Sequence, residues 1–196
     1  YMVKAPRLWR AGFYATDGRA QARMITATTW PIASRGAKAL VRQHPADLIV
    51  TVHPFANTFA LRALGKDRPP FINVVTDMVT THALWFDKRA DLILVPTKQA
   101  RDNAIRFNMP SEKVRVVGLP VADKYCKPLG RKSTLRKKLG WTLDKPIVLL
   151  VGGGEGMGPL AKTARAIDAS GLDVGLVVVC GRNQRLKATL EAETWE

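Results

Sequence analysis

At 196 residues the chain suits one ordinary domain or two small ones. Its 31 Lys and Arg against 16 Asp and Glu give a formal charge of +15, and an apolar fraction of 46% with 24% charged residues excludes a disordered chain. No apolar run approaches a membrane span, and Cys126 and Cys180 exclude a disulfide scaffold; no Cys/His group has zinc spacing.

The opening Tyr1-Met2-Val3-Lys4 carries no secretory signal and predicts an internal fragment of a longer protein. Residues 1–45 hold a net +7. Within them Leu8, Trp9, Phe13, Tyr14 and Trp30 interleave with Arg7, Arg10, Arg19 and Arg23. Such spacing suits an interfacial zone at a bilayer, or a basic helix packing its rings on its own domain.

A helix over about 34–44 leads to the β-branched run Asp47–His53, closed by Pro54. The same strand signal returns at Phe71–Thr76, Asp91–Val95 and Lys113–Val117, with helices over about 56–65 and 97–108 between. Thr97 is a good N-cap. Alternating strands and helices, with strands apolar on both faces, predict a parallel sheet covered on both sides.

Pro120, Pro128 and Gly130 break this rhythm. Residues 101–140 carry a net +8, and from Lys124 to Lys138 there is no acid, so an interdomain connection with a short basic helix from Ser133 to Leu139 is expected, stopped by Gly140. After Pro146 come the strand Ile147–Val151, the loop Gly152-Gly153-Gly154-Glu155-Gly156-Met157-Gly158 with Pro159, a helix to about Ser170, and the strand Val174–Cys180. That is one βαβ unit of a nucleotide-binding domain. The chain's last residues, Trp195-Glu196, are expected inside a further helix. The expected divisions are 1–120, a linker 121–145, and 146–196.

The glycine loop is the most informative local feature. Glycines let main-chain N–H groups approach an anion at a helix N-terminus without an intervening Cβ. No Gly-Lys-Ser/Thr follows, so it is not a Walker loop, and the acid that a dinucleotide fingerprint requires after the next strand is missing. A ligand-free strand–helix turn would use some of the same glycines. Arg182 stands at the carboxyl end of the following strand, where open α/β sheets bind ligands and a guanidinium can meet a diphosphate. His53 follows one strand, and Asp77, His82, Trp85 and Phe86 share the long loop after another. An acid, an imidazole and two rings on such a loop suggest a sugar- or lipid-facing pocket, or else core plugs with a satisfied histidine.

These stretches resemble the diacylglycerol glycosyltransferases of the monogalactosyldiacylglycerol synthase type, within glycosyltransferase family 28. The resemblance is carried by Val52-His53-Pro54-Phe55, by Val75-Thr76-Asp77 through His82 with Trp85-Phe86, by Val116–Val121, by Gly152–Pro159 and by Val179–Asn183. It implies a GT-B architecture of two Rossmann-like α/β domains with parallel sheets, both incomplete in a fragment. It implies transfer of galactose or glucose from a UDP-sugar to diacylglycerol, with the UDP-sugar as co-substrate and neither cofactor nor metal. Gly152 to Gly158 and Arg182 would then serve the donor, and His53, Asp77, His82 and Trp85 the acceptor or lipid side. The family's Gly-Gly-Gly-His loop, which supplies the presumed base, would lie upstream of Tyr1, so the fragment alone is expected to be inactive. Anionic lipids are the expected partners at the cytoplasmic face of a membrane, with peripheral attachment; nucleic acid is not expected. A transferase on another lipid-linked acceptor, such as the peptidoglycan precursor, and a non-enzymatic binder of anionic surfaces or of nucleic acid are the alternatives.

Overall fold

The computed structural model describes residues 6–195. The chain divides into two compact units, which among the described residues span 6–122 and 123–195.

In the first unit the helices α1 (Pro6–Thr16) and α2 (Arg19–Gln43) precede β1 (Ile49–Thr51), α3 (Pro54–Leu64), β2 (Phe71–Val74), β3 (Leu92–Val95), α4 (Lys98–Arg106) and β4 (Val114–Val116). The four strands are parallel and lie in the order β1-β2-β3-β4. The expected strands all form, each shortened at one end or both. Helix α2 starts well before the expected residue 34 because Pro31 does not end it. Packing on α3 outweighs the hydrogen bond lost at Pro31: Trp30 stacks on Phe59 at 6.3 Å, with the Arg62 guanidinium 4.6 Å from the Trp30 centroid. Trp30 is therefore a helix–helix contact rather than an interfacial ring. Leu8 and Tyr14 do stay exposed, and the side chains of Arg7 and Trp9 lie outside the described residues.

The register puts Thr51, Asn73, Ile93 and Val114 on one face of the sheet. That face closes over Leu61, Phe71, Val75, Trp85 and Val95. The opposite face, with Val50, Ile72, Val74, Leu92 and Leu94, is only partly covered by the described residues. This corrects the expectation of cover on both sides. Successive parallel strands laid side by side, joined by right-handed crossovers, send each connection over the same face.

In the second unit α5 (Lys132–Leu139) ends at Gly140 in the left-handed conformation, φ 69°. Arg136 then folds back, donating to Lys145 O at 3.0 Å. β5 (Ile147–Val151) and β6 (Gly175–Val179) pair in parallel around α6 (Leu160–Asp168). α7 (Gln184–Glu191) follows, and the chain leaves the helix before Trp195, whose indole turns back to donate to Leu190 O at 2.8 Å. Trp195 is thus a cap on α7 rather than part of a helix, and Glu196 lies outside the described residues.

Candidate functional site

The glycine loop joins the carboxyl end of β5 to α6, as the spacing predicts. Its glycines do different jobs. Gly156 has φ 58°, and a Cβ there would run into the Cys180 carbonyl and the Asn183 side chain. Gly152 likewise has no room, against Leu160 and the Gly156 backbone. These two are demanded by the turn's own packing. Gly154 is not: its φ is outside the left-handed range, and a Cβ would meet nothing within 4 Å. The turn is pinned by Met157 N–H to Gly152 O at 2.8 Å and by Arg182 N–H to Gly154 O at 2.8 Å. The amides of Gly153, Gly154 and Glu155 meet no acceptor among the described residues. Main-chain donors left without an acceptor at a strand's carboxyl end are what an anion site needs.

The Arg182 guanidinium pairs with the Glu155 carboxylate. Both side chains are exposed, so the pair is worth at most about 1 kcal/mol and a diphosphate could displace the carboxylate. Asn183 enters the sequence reading only as the end of the Val179–Asn183 stretch, with no role of its own. It caps α7, accepting from Leu186 N–H at 3.0 Å, and donates to Gly156 O at 3.3 Å, which ties the loop to the next helix. An Asn just before a helical pattern is its only sequence signal.

On the first unit, His53 is exposed at the start of α3, its ring 5.9 Å from Phe55. Asp77 is half-buried and accepts from the Trp85 indole at 2.7 Å. Trp85 is only 2% exposed, the core plug that the sequence offered beside a pocket-facing ring. Its carbonyl accepts from Asn57 at 3.0 Å and Asn73 at 2.5 Å. His82 is also buried. Leu84 N–H donates to its Nδ1 at 3.1 Å, so Nε2 carries the proton and donates to Thr16 Oγ1 at 3.1 Å. Both ring nitrogens are engaged, and Phe13 packs edge-on against the imidazole at 4.9 Å. Asp17 Oδ1 accepts from Ala83 N–H at 2.8 Å. His82 and Asp17 thus latch this loop to the elbow between α1 and α2. The contacts span 66 positions.

Farther along, Asp87 accepts from Arg89 through Nε at 3.0 Å and Nη2 at 2.6 Å. Burial alone would raise its pKa, but the Arg89 and Thr58 hydrogen bonds outweigh that and hold it below the usual carboxylate value. Among the described residues no group of three His, Cys, Asp or Glu could hold a metal ion, and no helix is long and apolar enough to cross a membrane.

Parallel sheets with a glycine turn opening on a helix define a Rossmann-like α/β protein. The solved structure of S. aureus MnaA with UDP shares this fold, with a TM-score of 0.54 and 19% identity over 82% of this chain and 47% of that one. The family model of monogalactosyldiacylglycerol (MGDG) synthase matches residues 1–121. Over its whole length the chain is 34% identical to the probable monogalactosyldiacylglycerol synthase 2, chloroplastic, of Oryza sativa subsp. japonica, covering 44% of that protein. It is 36% identical to the probable chloroplastic enzyme of Glycine max and 34% identical to monogalactosyldiacylglycerol synthase 1, chloroplastic, of Arabidopsis thaliana, covering 39% of each. The chain belongs to the monogalactosyldiacylglycerol synthase family, and it spans less than half the length of these relatives.

Proposed function

We propose that the protein containing this chain transfers a hexose, galactose or glucose, from a UDP-sugar to diacylglycerol. Residues 152–158 and Arg182 form the donor side. The observation that carries this reading is Gly154, a glycine that neither the packing nor the backbone conformation demands, whose amide and those of Gly153 and Glu155 meet no acceptor among the described residues. Space kept clear of a Cβ is space for a diphosphate. The names of the relatives and the UDP in the MnaA structure support the same chemistry.

In this reading residues 1–120 and 146–196 belong to the acceptor and donor domains of a GT-B enzyme. The basic stretch 121–145, which the structure groups from residue 123 on with the second unit, lies between them in the sequence. His53 and Asp77 stand on the acceptor side at the carboxyl edge of their sheet. His82 and Trp85 lie beneath, one fixing the α1–α2 elbow and the other held by Asp77. Attachment is peripheral, on the cytoplasmic face, and the two basic segments draw the enzyme to anionic lipids, each Lys or Arg near the surface contributing about 1 kcal/mol. In the donor step the amides and Arg182 would stabilise the charge that grows on the departing UDP, at sites oriented before the reaction begins.

The test is a transfer assay on the full-length protein with labelled UDP-galactose or UDP-glucose and diacylglycerol in vesicles. A labelled monohexosyl lipid that needs diacylglycerol supports the proposal. Transfer only to a polyprenyl-linked acceptor, or none to either, would contradict it.

A further inference from the structure

The glycine loop lies against one neighbouring turn, residues 180–183. Gly181 has φ 56°, and a Cβ there would run into the carbonyl oxygens of Gly153 and Gly154. Gly156 meets the Cys180 carbonyl in the same way. Backbone therefore rests on backbone, and the ties between the two segments are mostly main-chain hydrogen bonds. Among the described residues one side chain alone bonds to the main chain of residues 152–158: Asn183, whose Nδ2 donates to Gly156 O at 3.3 Å. Its Oδ1 accepts from Leu186 N–H at 3.0 Å, capping α7, so both ends of the amide are engaged. Its own N–H donates to Cys180 O at 3.1 Å and closes the turn.

These contacts fix directions as well as positions. In a trans peptide the C=O of one residue and the N–H of the next point to opposite sides. Gly154 O accepts from Arg182 N–H at 2.8 Å, so the Glu155 N–H is turned away from residues 180–183. Gly153 O accepts from Gly156 N–H at 3.2 Å, which turns the Gly154 N–H away from the inside of the loop. The Gly156–Met157 peptide then shuts the loop: its N–H donates to Gly152 O at 2.8 Å, and its carbonyl is the one that Asn183 holds. Five glycines in seven residues leave this segment many conformations to lose, so its shape depends on each tie.

We infer that Asn183 is a positioning residue for the UDP-sugar, acting through the Gly156–Met157 peptide. The inference rests on the donor reading of residues 152–158 given above. Both ends of the Asn183 amide are already used, so it serves the diphosphate through the loop and not by contact. It holds the loop closed, and the amides of Gly153, Gly154 and Glu155 meet the anion without first having to be ordered. One end of the side chain caps a helix; the other shapes the site.

The test uses the full-length protein and two variants, Asn183→Ser and Asn183→Asp. Each keeps an oxygen that can cap α7, and neither has the Nδ2 donor. Both should lower the melting midpoint by about 4 °C at most, since the cap is kept. In calorimetric titration their affinity for UDP should fall by about three- to ten-fold. In the transfer assay KM for the UDP-sugar should rise by the same factor, with KM for diacylglycerol as in wild type. A side chain that served folding alone would reduce the active fraction and leave both KM values unchanged. The Ser variant carries no charge, so its loss belongs to the missing amide. If it does not fold, the Asp variant answers alone: its loss should persist at high salt, where repulsion of the diphosphate is screened, and a loss that vanishes there overturns the inference. Variants that bind UDP as wild type does, or that change only in melting, overturn it too and leave the donor reading standing. A wild type that does not bind UDP overturns both.

Discussion

In the unit of residues 6–122, four strands close over Leu61, Phe71, Trp85 and Ile93, each at 2% exposure or less. In the second unit, two strands gather a buried cluster of only Ala164, Cys180 and Leu190, and a groove of about 1050 Å³ runs beside β6. The first unit is held by apolar burial, whereas the glycine loop of the second is held by main-chain hydrogen bonds and by glycines that let backbones touch. A binding turn built that way keeps its amides available. Its geometry then depends on single positions, and the core of the first unit depends on volume.

Breaking the first unit should therefore give the largest stability effect. Trp85→Ala removes a ring from the centre of the core and leaves the Asp77 carboxylate without its indole donor, so urea titration should show a loss of about 3–5 kcal/mol. Gly156→Ala comes next. It forces a methyl against the Cys180 carbonyl at a positive φ, which strained backbones tolerate at a cost of about 1–3 kcal/mol, and UDP binding should vanish with the turn's shape, as read by calorimetry.

Asp87→Asn should cost about 1.5–3 kcal/mol at neutral pH, through lost charged hydrogen bonds to Arg89. Because the folded carboxyl titrates below its ordinary 3.8, its stabilisation is complete above that value and disappears as pH falls through the lowered folded one. The gap between wild type and variant should close in acid, and a gap that persists there would point to packing instead. The smallest effect sharpens the contrast on the second unit. Glu155→Gln frees the Arg182 guanidinium and should tighten UDP binding a few-fold, with a steeper salt dependence and little change in melting.

Much of this fold was legible because each strand of the first sheet is a short β-branched run with a stop beside it, such as Pro54 after His53. Thr97 capped its helix as expected, accepting from Ala100 N–H at 3.1 Å. The glycine loop was legible as a turn, but which glycine is demanded by packing was not, since that depends on Cys180 and Asn183, residues a whole βα unit away. Whether Trp85 and His82 face a pocket or the core stayed open in the sequence for a related reason. A ring or imidazole on a loop reads the same whether it faces solvent or a core, and the partners that decide the matter, Asn57, Asn73 and Thr16, arrive by tertiary contact. The long α2 was missed because Pro31 is a helix breaker by local rule and is overruled here by α3.

The central claim is that the opening at Gly154 is kept for a diphosphate, and Gly154→Ala tests it most directly. The structure has room for that methyl, so the melting midpoint should not move, yet calorimetric titration of the full-length protein with UDP should show affinity falling by about ten-fold or more, the equivalent of 1.4 kcal/mol. A variant that binds UDP as tightly as the wild type, at unchanged stability, would contradict it.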